Sequence, residues 1–261
     1  MDAIRKSIAN APAAPAPDPG WERPFAEVEP SLRVRAEAGD IRAATTLGLR
    51  AARCHALLGD RPREDIVEQW QEALAHRSPI ARNEDVRRRN MEDAMKRELA
   101  AYDDCAAVGA ARTADYLVWL ERAGRAGGLP AQVAFAQHAL DAWSTPESMV
   151  SQIEEAARRR SLARGWLEAQ IANGRESALA VYADPLSGKQ SLYAGDVERV
   201  QTYSYVLELV RSRRIGDFDR LWAEGPRPYG TDLTPAQWRR VADEGRRIYQ
   251  LSFKNAPLYP D

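Results

Sequence analysis

Histidine, cysteine and phenylalanine are sparse here: three, two and four residues among 261. His55, His76 and His138 stand far apart and no CxxC pair occurs, so no spacing resembles a zinc site. Net charge is lacking as well. The 37 basic and 38 acidic residues leave a formal −1, and the whole chain has no electrostatic footprint for nucleic acid or an anionic membrane. No apolar run approaches the roughly 18 residues of a membrane helix. The first residues, MDAIRKSIANAPAAPAPDPGW, lack the apolar core of a signal peptide. Period-two strand patterns are scarce, and abundant alanine and arginine favour helix over sheet.

What is present is a globular composition, 44% hydrophobic and 29% charged. Residues 1–21 read as a disordered tail and linker, because Ala11–Gly20 holds four prolines among small residues that bury too little to order themselves. Residues 22–261 read as a single helical domain, with an aromatic-rich C-terminal cap over about 225–261. Leu47, Ala51, Cys54 and Leu58 fall on one face of a helix; Ile66, Val67, Trp70 and Leu74 make a second stripe, and Met91, Met95, Leu99, Tyr102 and Cys105 a third. If those three helices pack together, Cys54 and Cys105 both lie on buried faces. Two buried thiols and a disulfide are both open, and the second implies an oxidising compartment. Thr234, Pro235 and Gln237 form a capping box, and Ser144–Ser148 offers another helix start. Gly59, Gly109, Gly174 and Gly195 stand where helices should stop. The unbroken run Glu147–Asn173 reads as one long helix or two with a bend. About ten helices on short connections make the expected fold class all-α.

The chain also resembles itself. Leu120 lies seven residues before Gly127, with Ala131, Phe135 and Ala136 four, eight and nine after it. The same offsets give Leu167, Ala178, Tyr182 and Ala183 around Gly174, and Leu32, Ala43, Leu47 and Gly48 around Gly39. Trp119 and Trp166 each precede their leucine. The glycine is expected to be a left-handed elbow, the alanine a close approach of two helices, and the large apolar residue their filler. A further, degenerate unit is centred on Gly216, with Leu209 seven before and Arg220 where alanine belongs.

On WLERAGRAGGLPAQVAFA (119–136), WLEAQIANGRESALAVYA (166–183) and AEAGDIRAATTLG (36–48), the sequence resembles the Sel1-like repeat family, relatives of tetratricopeptide repeats. The resemblance implies an irregular α-solenoid of helix–turn–helix units with structural elbows at Gly39, Gly127 and Gly174. Two spacings depart from the family: 47 residues from Gly127 to Gly174, and 88 from Gly39 to Gly127.

Sites for chemistry find little support. Gly124, Gly127 and Gly128 would need a preceding strand to cradle phosphate, and the residues before them are helix-like. DPLSGKQS (184–191) has Ala183 and Gln190 where a nucleotide loop requires Gly and Ser or Thr. Cys54 beside His55 is adjacency, not catalytic geometry. The acidic pairs Asp103–Asp104 and Glu154–Glu155 read as solvated faces, as do Arg87–Arg89, Arg158–Arg160, Arg239–Arg240 and Arg246–Arg247, most of which have acids within four residues. Trp222, Tyr229, Trp238, Tyr249, Phe253 and Tyr259 crowd the C-terminus as a cap or an interface.

No catalytic residue, cofactor or metal is therefore expected. The expectation is a non-enzymatic scaffold that binds a protein or peptide, with no nucleic acid and no membrane insertion. The alternatives are an inhibitor or immunity-type protein acting on a cell-wall enzyme, and a helical hydrolase using acidic residues. Ala/Pro linkers often follow a signal peptide or lipid anchor in bacterial envelope proteins. The expected site is thus the periplasm or envelope after loss of an upstream signal, or otherwise the cytoplasm.

Overall fold

The computed structural model describes residues 21–60, 62–76, 83–143, 146–183, 192, 196–226 and 233–256. Among them every regular element is helical and no strand occurs. Within the stretch read as one domain, contacts gather into two compact units, Met1–Gly128 and Leu129–Asp261, each described by itself. The tail 1–20 and the segment 184–191 lie outside the described residues, as do Ser144, Thr145, Gly195, Tyr229 and Tyr259.

The first unit holds α1 (Phe25–Glu37), α2 (Ile41–Asp60), α3 (Arg63–Ala75), α4 (Glu84–Val108), the short α5 (Ala110–Thr113) and α6 (Tyr116–Arg125). The central helix is α2, which packs on α1, α4, α5 and α6. Of its expected stripe, Leu47, Ala51 and Cys54 are inaccessible or nearly so, while Leu58 near the end of the helix is only half-buried; Ala43 extends the stripe toward the helix start. At Gly48 a Cβ would lie 2.8 Å from the Leu120 side chain and 3.1 Å from its backbone nitrogen, so α2 and α6 meet where only glycine fits. The Sγ atoms of Cys54 and Cys105 are at disulfide distance, 2.03 Å, joining α2 to α4 with Cα atoms 5.1 Å apart. Trp70 of α3 donates its indole N–H to Glu98 of α4 at 2.7 Å.

The second unit holds α7 (Leu129–His138), α8 (Pro146–Ser151), α9 (Ile153–Ala172), α10 (Glu176–Ala183), α11 (Val197–Ile215), α12 (Phe218–Glu224) and α13 (Pro235–Ile248). A π-helical turn, Tyr249–Phe253, continues α13. The run 147–173 is two helices that break at Gln152. The capping box is formed: the Gln237 backbone N–H donates to Thr234 Oγ1 at 3.3 Å, and the Thr234 N–H to Gln237 Oε1 at 2.8 Å. Gly245 admits the buried Tyr205, whose Cδ1 would stand 2.6 Å from a Cβ there.

The elbows are left-handed, with φ of +95° at Gly39, +90° at Gly127, +72° at Gly174 and +76° at Gly216. In each, the residue after the glycine donates its N–H to the carbonyl five back: Asp40 to Arg35 at 3.0 Å, Gly128 to Ala123 at 2.9 Å, Arg175 to Gln170 at 3.0 Å and Asp217 to Ser212 at 3.1 Å. This bond closes the last turn of the helix and satisfies one of its orphan carbonyls. The leucines seven before, Leu32, Leu120, Leu167 and Leu209, are all buried. So are Ala43, Ala131 and Ala178 four after, and Leu47, Phe135 and Tyr182 eight after. Around Gly216 the pattern fails at Arg220, which is exposed and paired with Asp217 and Glu224.

A cross-link closing a 51-residue loop stabilises by about 4 kcal/mol through restriction of the unfolded chain. The Cys54→Ser, Cys105→Ser double variant is expected to lose about that much in urea denaturation. The unmodified oxidised protein should show no free thiol by Ellman assay.

Candidate functional site

Helices α1 and α6 both rest on α2, and they join across a buried polar knot. Glu29 is 2% exposed and would be costly there without partners. It accepts from Arg33 Nε, one turn along α1, at 2.7 Å, and pairs with Arg112 of α5 at 2.5 Å. Arg33 is fully engaged: Nη1 donates to Asp115 Oδ2 at 2.7 Å and Nη2 to the Arg112 carbonyl at 3.1 Å. The hydrogen bond to Asp115, then that to Glu29, raises the pKa of Arg33 against the opposing effect of burial.

Asp115 precedes α6, and Trp119 follows it one turn on, so the two share a flank of the helix. The Arg33 guanidinium lies 5.4 Å from the Trp119 ring centre and that of Arg122 5.9 Å away. Arg122 also donates to the Glu37 carbonyl at 3.0 Å, satisfying a last-turn acceptor of α1. Trp119 is only 6% exposed, yet its Nε1–H has no hydrogen-bond partner, and neither does the buried Oδ1 of Asp115. Elsewhere on the same two helices, Val34 of α1 and Val118 of α6 are 66% and 63% exposed. Glu29 is buried while the Arg112 that pairs with it is half exposed; in the Arg33–Asp115 pair the carboxylate is the more exposed partner.

A second anchor holds the start of α1. The Asp104 carboxylate, from α4, accepts the backbone N–H of Phe25 at 2.7 Å and of Ala26 at 2.9 Å. The residue before the helix, Pro24, offers no side-chain cap, so a carboxylate distant in sequence takes that role and complements the helix dipole. Arg50 stands 3.6 Å from the same carboxylate and over the Phe25 ring.

The residues singled out in the sequence fall elsewhere. Cys54 is joined to Cys105, and His55 lies with its ring 5.0 Å from that of Tyr116. Gly124 lies in α6 and Gly127 just beyond it, so helix, not strand, precedes the glycine cluster. Asp103 pairs with Arg63 at 2.8 Å, a bond that lowers its pKa. The basic clusters meet local acids: Arg87 with Glu84, Arg88 with Glu92, Arg158 and Arg159 with Glu155, Arg247 with Glu244. Arg240 reaches across to Glu198. Of the C-terminal aromatics, Trp222 and Tyr249 pack with Phe218, and Tyr249 and Phe253 are buried. Among the described residues no group of three or more His, Cys, Asp or Glu could hold a metal ion, and no helix is long and apolar enough to cross a membrane.

Sequence reading took Asp104 as half of a solvated pair and did not single out Glu29 or Arg112. Phe25 and Ala26 lie about eighty residues from Asp104, as does Arg112 from Glu29, beyond any helical periodicity; only the Glu29–Arg33 spacing is local.

Removing Glu29 leaves two guanidiniums over a buried hole, so Glu29→Ala should cost about 3 kcal/mol in denaturant unfolding. Glu155 titrates at about 2, against an ordinary 4.5, because Arg158 and then Arg159 donate to it. A depressed folded pKa means its stabilising contribution is present above 4.5 and is lost as pH falls from there through about 2. Carboxyl NMR titration should show that low midpoint, and Arg158→Gln should move it up.

In comparisons with known proteins, no family model, no curated protein and no solved structure matches the chain.

Proposed function

We propose that this chain is a non-enzymatic helical scaffold for protein–protein interaction, built from helix pairs of the Sel1-like kind arranged as an irregular α-solenoid. The shared glycine caps, with buried leucine, alanine and large apolar residues at common offsets, support the repeat reading. The observation that carries the function is the α1–α6 face. Helix α6 carries a tryptophan overlaid by two arginines, and tryptophan and arginine are the residue types that dominate binding hot spots. Its indole N–H has no partner, and α1 and α6 each carry a strongly exposed valine, Val34 and Val118, which together favour a contact surface. The Cys54–Cys105 pair supports an oxidising compartment, and with it a bacterial periplasm or envelope.

A photo-reactive amino acid at Val118 should cross-link a discrete partner in the native envelope fraction. One at Val197, which is exposed in the second unit, serves as the comparison. The expected result is a product specific to position 118 that disappears with Val34→Asp at unchanged melting temperature. Equal labelling from both positions, or a product indifferent to Val34→Asp, would count against this face.

A further inference from the structure

We propose that the Cys54–Cys105 bond is a redox latch: its two-electron reduction by a dithiol releases the α3–α4 hairpin and the first turn of α1, while α2 and α6 stay paired. Helix α4 is 25 residues long and packs on α1 and α2, yet Cys105 is its one fully buried residue. In α3, which packs chiefly on α4, that place belongs to Ile66 alone. Trp70 and Leu74 on α3, like Met91, Met95 and Leu99 on α4, are only half-buried. Helix α6, by contrast, buries six of its ten residues, and Leu120 among them is seated at Gly48 of α2. Apolar burial therefore holds α6 to α2, whereas the hairpin depends on the covalent bond.

Polar contacts of α4 with α1 and α2 gather at the same point. Asp104, the residue before Cys105, accepts the N–H groups of Phe25 and Ala26 at 2.7 and 2.9 Å. It also stands 3.6 Å from Arg50, one turn before Cys54 on α2. Farther along, Arg63 bonds Asp103, Trp70 bonds Glu98 and Arg87 bonds the His76 carbonyl, all within the hairpin. The disulfide thus fixes the one turn of α4 whose carboxylate caps α1. Cys54 and Cys105 are 3% and 4% exposed, so a thiol reaches them only when that turn lifts, and little apolar burial opposes the lifting.

One thiolate of the dithiol attacks a cysteine sulfur, forming a mixed disulfide and expelling the other cysteine as a thiolate. The reductant's second thiolate then attacks the mixed disulfide and frees the first cysteine. Two electrons and two protons arrive at Cys54 and Cys105, and the dithiol leaves as a disulfide. With the bond gone, the turn of α4 that carries Asp104 moves off α1, and the Phe25 and Ala26 N–H groups return to solvent.

Tryptic cleavage of the full chain, before and after native reduction with dithiothreitol, tests the latch. The hairpin offers Arg87, Arg88, Arg89, Lys96 and Arg97, and α6 offers Arg122 and Arg125. Reduction should raise cleavage within 87–97 at least tenfold relative to cleavage at 122 and 125. The Phe25 and Ala26 amide resonances should move upfield on reduction while those of α6 keep their positions. The Cys54→Ser, Cys105→Ser double variant should show the reduced pattern with or without dithiothreitol. Equal acceleration at both sets of sites would mean that the bond only stabilises the unit as a whole, and would overturn the latch. So would unmoved Phe25 and Ala26 amides in the reduced chain, or a bond that native dithiothreitol fails to open.

Discussion

Among the described residues six helices end at a glycine of positive φ, and at four of these, Gly39, Gly127, Gly174 and Gly216, the cap reverses the chain into the next helix. A left-handed residue reverses the chain within the last helical turn, and the bond from the next residue to the carbonyl five back fixes the exit direction. The leucine seven residues before each of these glycines is buried, as is the alanine four after Gly39, Gly127 and Gly174. At Gly39 this places α1 on α2, and Gly48, nine residues further on in α2, admits Leu120 of α6. The first unit is thus assembled around α2 by one reversal and one close approach.

The elbow alone would leave α1 loosely held, because it is short and has no cap of its own. Two carboxylates correct this from opposite ends of the polarity scale. Asp104 is partly exposed and uses both oxygens to close the N-terminus, while Glu29 is buried and needs two guanidiniums to be tolerated. Arg122 then takes a carbonyl from the last turn of α1. Apart from the Glu29–Arg33 pair within α1, these contacts cross from α1 to α4, α5 or α6. Helix α1 is consequently fixed at its start, its middle and its last turn.

Local features were legible in the sequence. Helical stripes, the Thr234–Gln237 box, the glycine elbows and the local acid partners of the arginine clusters all follow from spacings of three to eight residues. The helix break at Gln152 was open between one helix and two, since no proline or glycine marks it. The cap by Asp104 was read as half of a solvated acidic pair, because nothing within a turn of it reveals that its donors are Phe25 and Ala26. Trp119 was legible as a core residue from its repeat position. Its unpaired N–H was not, because that depends on how Arg33 and Asp115 are spent.

The whole account turns on backbone handedness at the elbows, and chirality tests it directly. At Gly39 a Cβ would meet nothing within 4 Å, so the side chain itself adds no clash. A semisynthetic protein with L-alanine at that position should lose about 1 kcal/mol in denaturant unfolding, the cost of a left-handed L-residue. The same protein with D-alanine should match or exceed the parent by a few tenths of a kcal/mol, through its restricted unfolded chain. Equal stability of the two epimers, or a more stable L-form, would contradict the left-handed elbow and the helix pairing built on it.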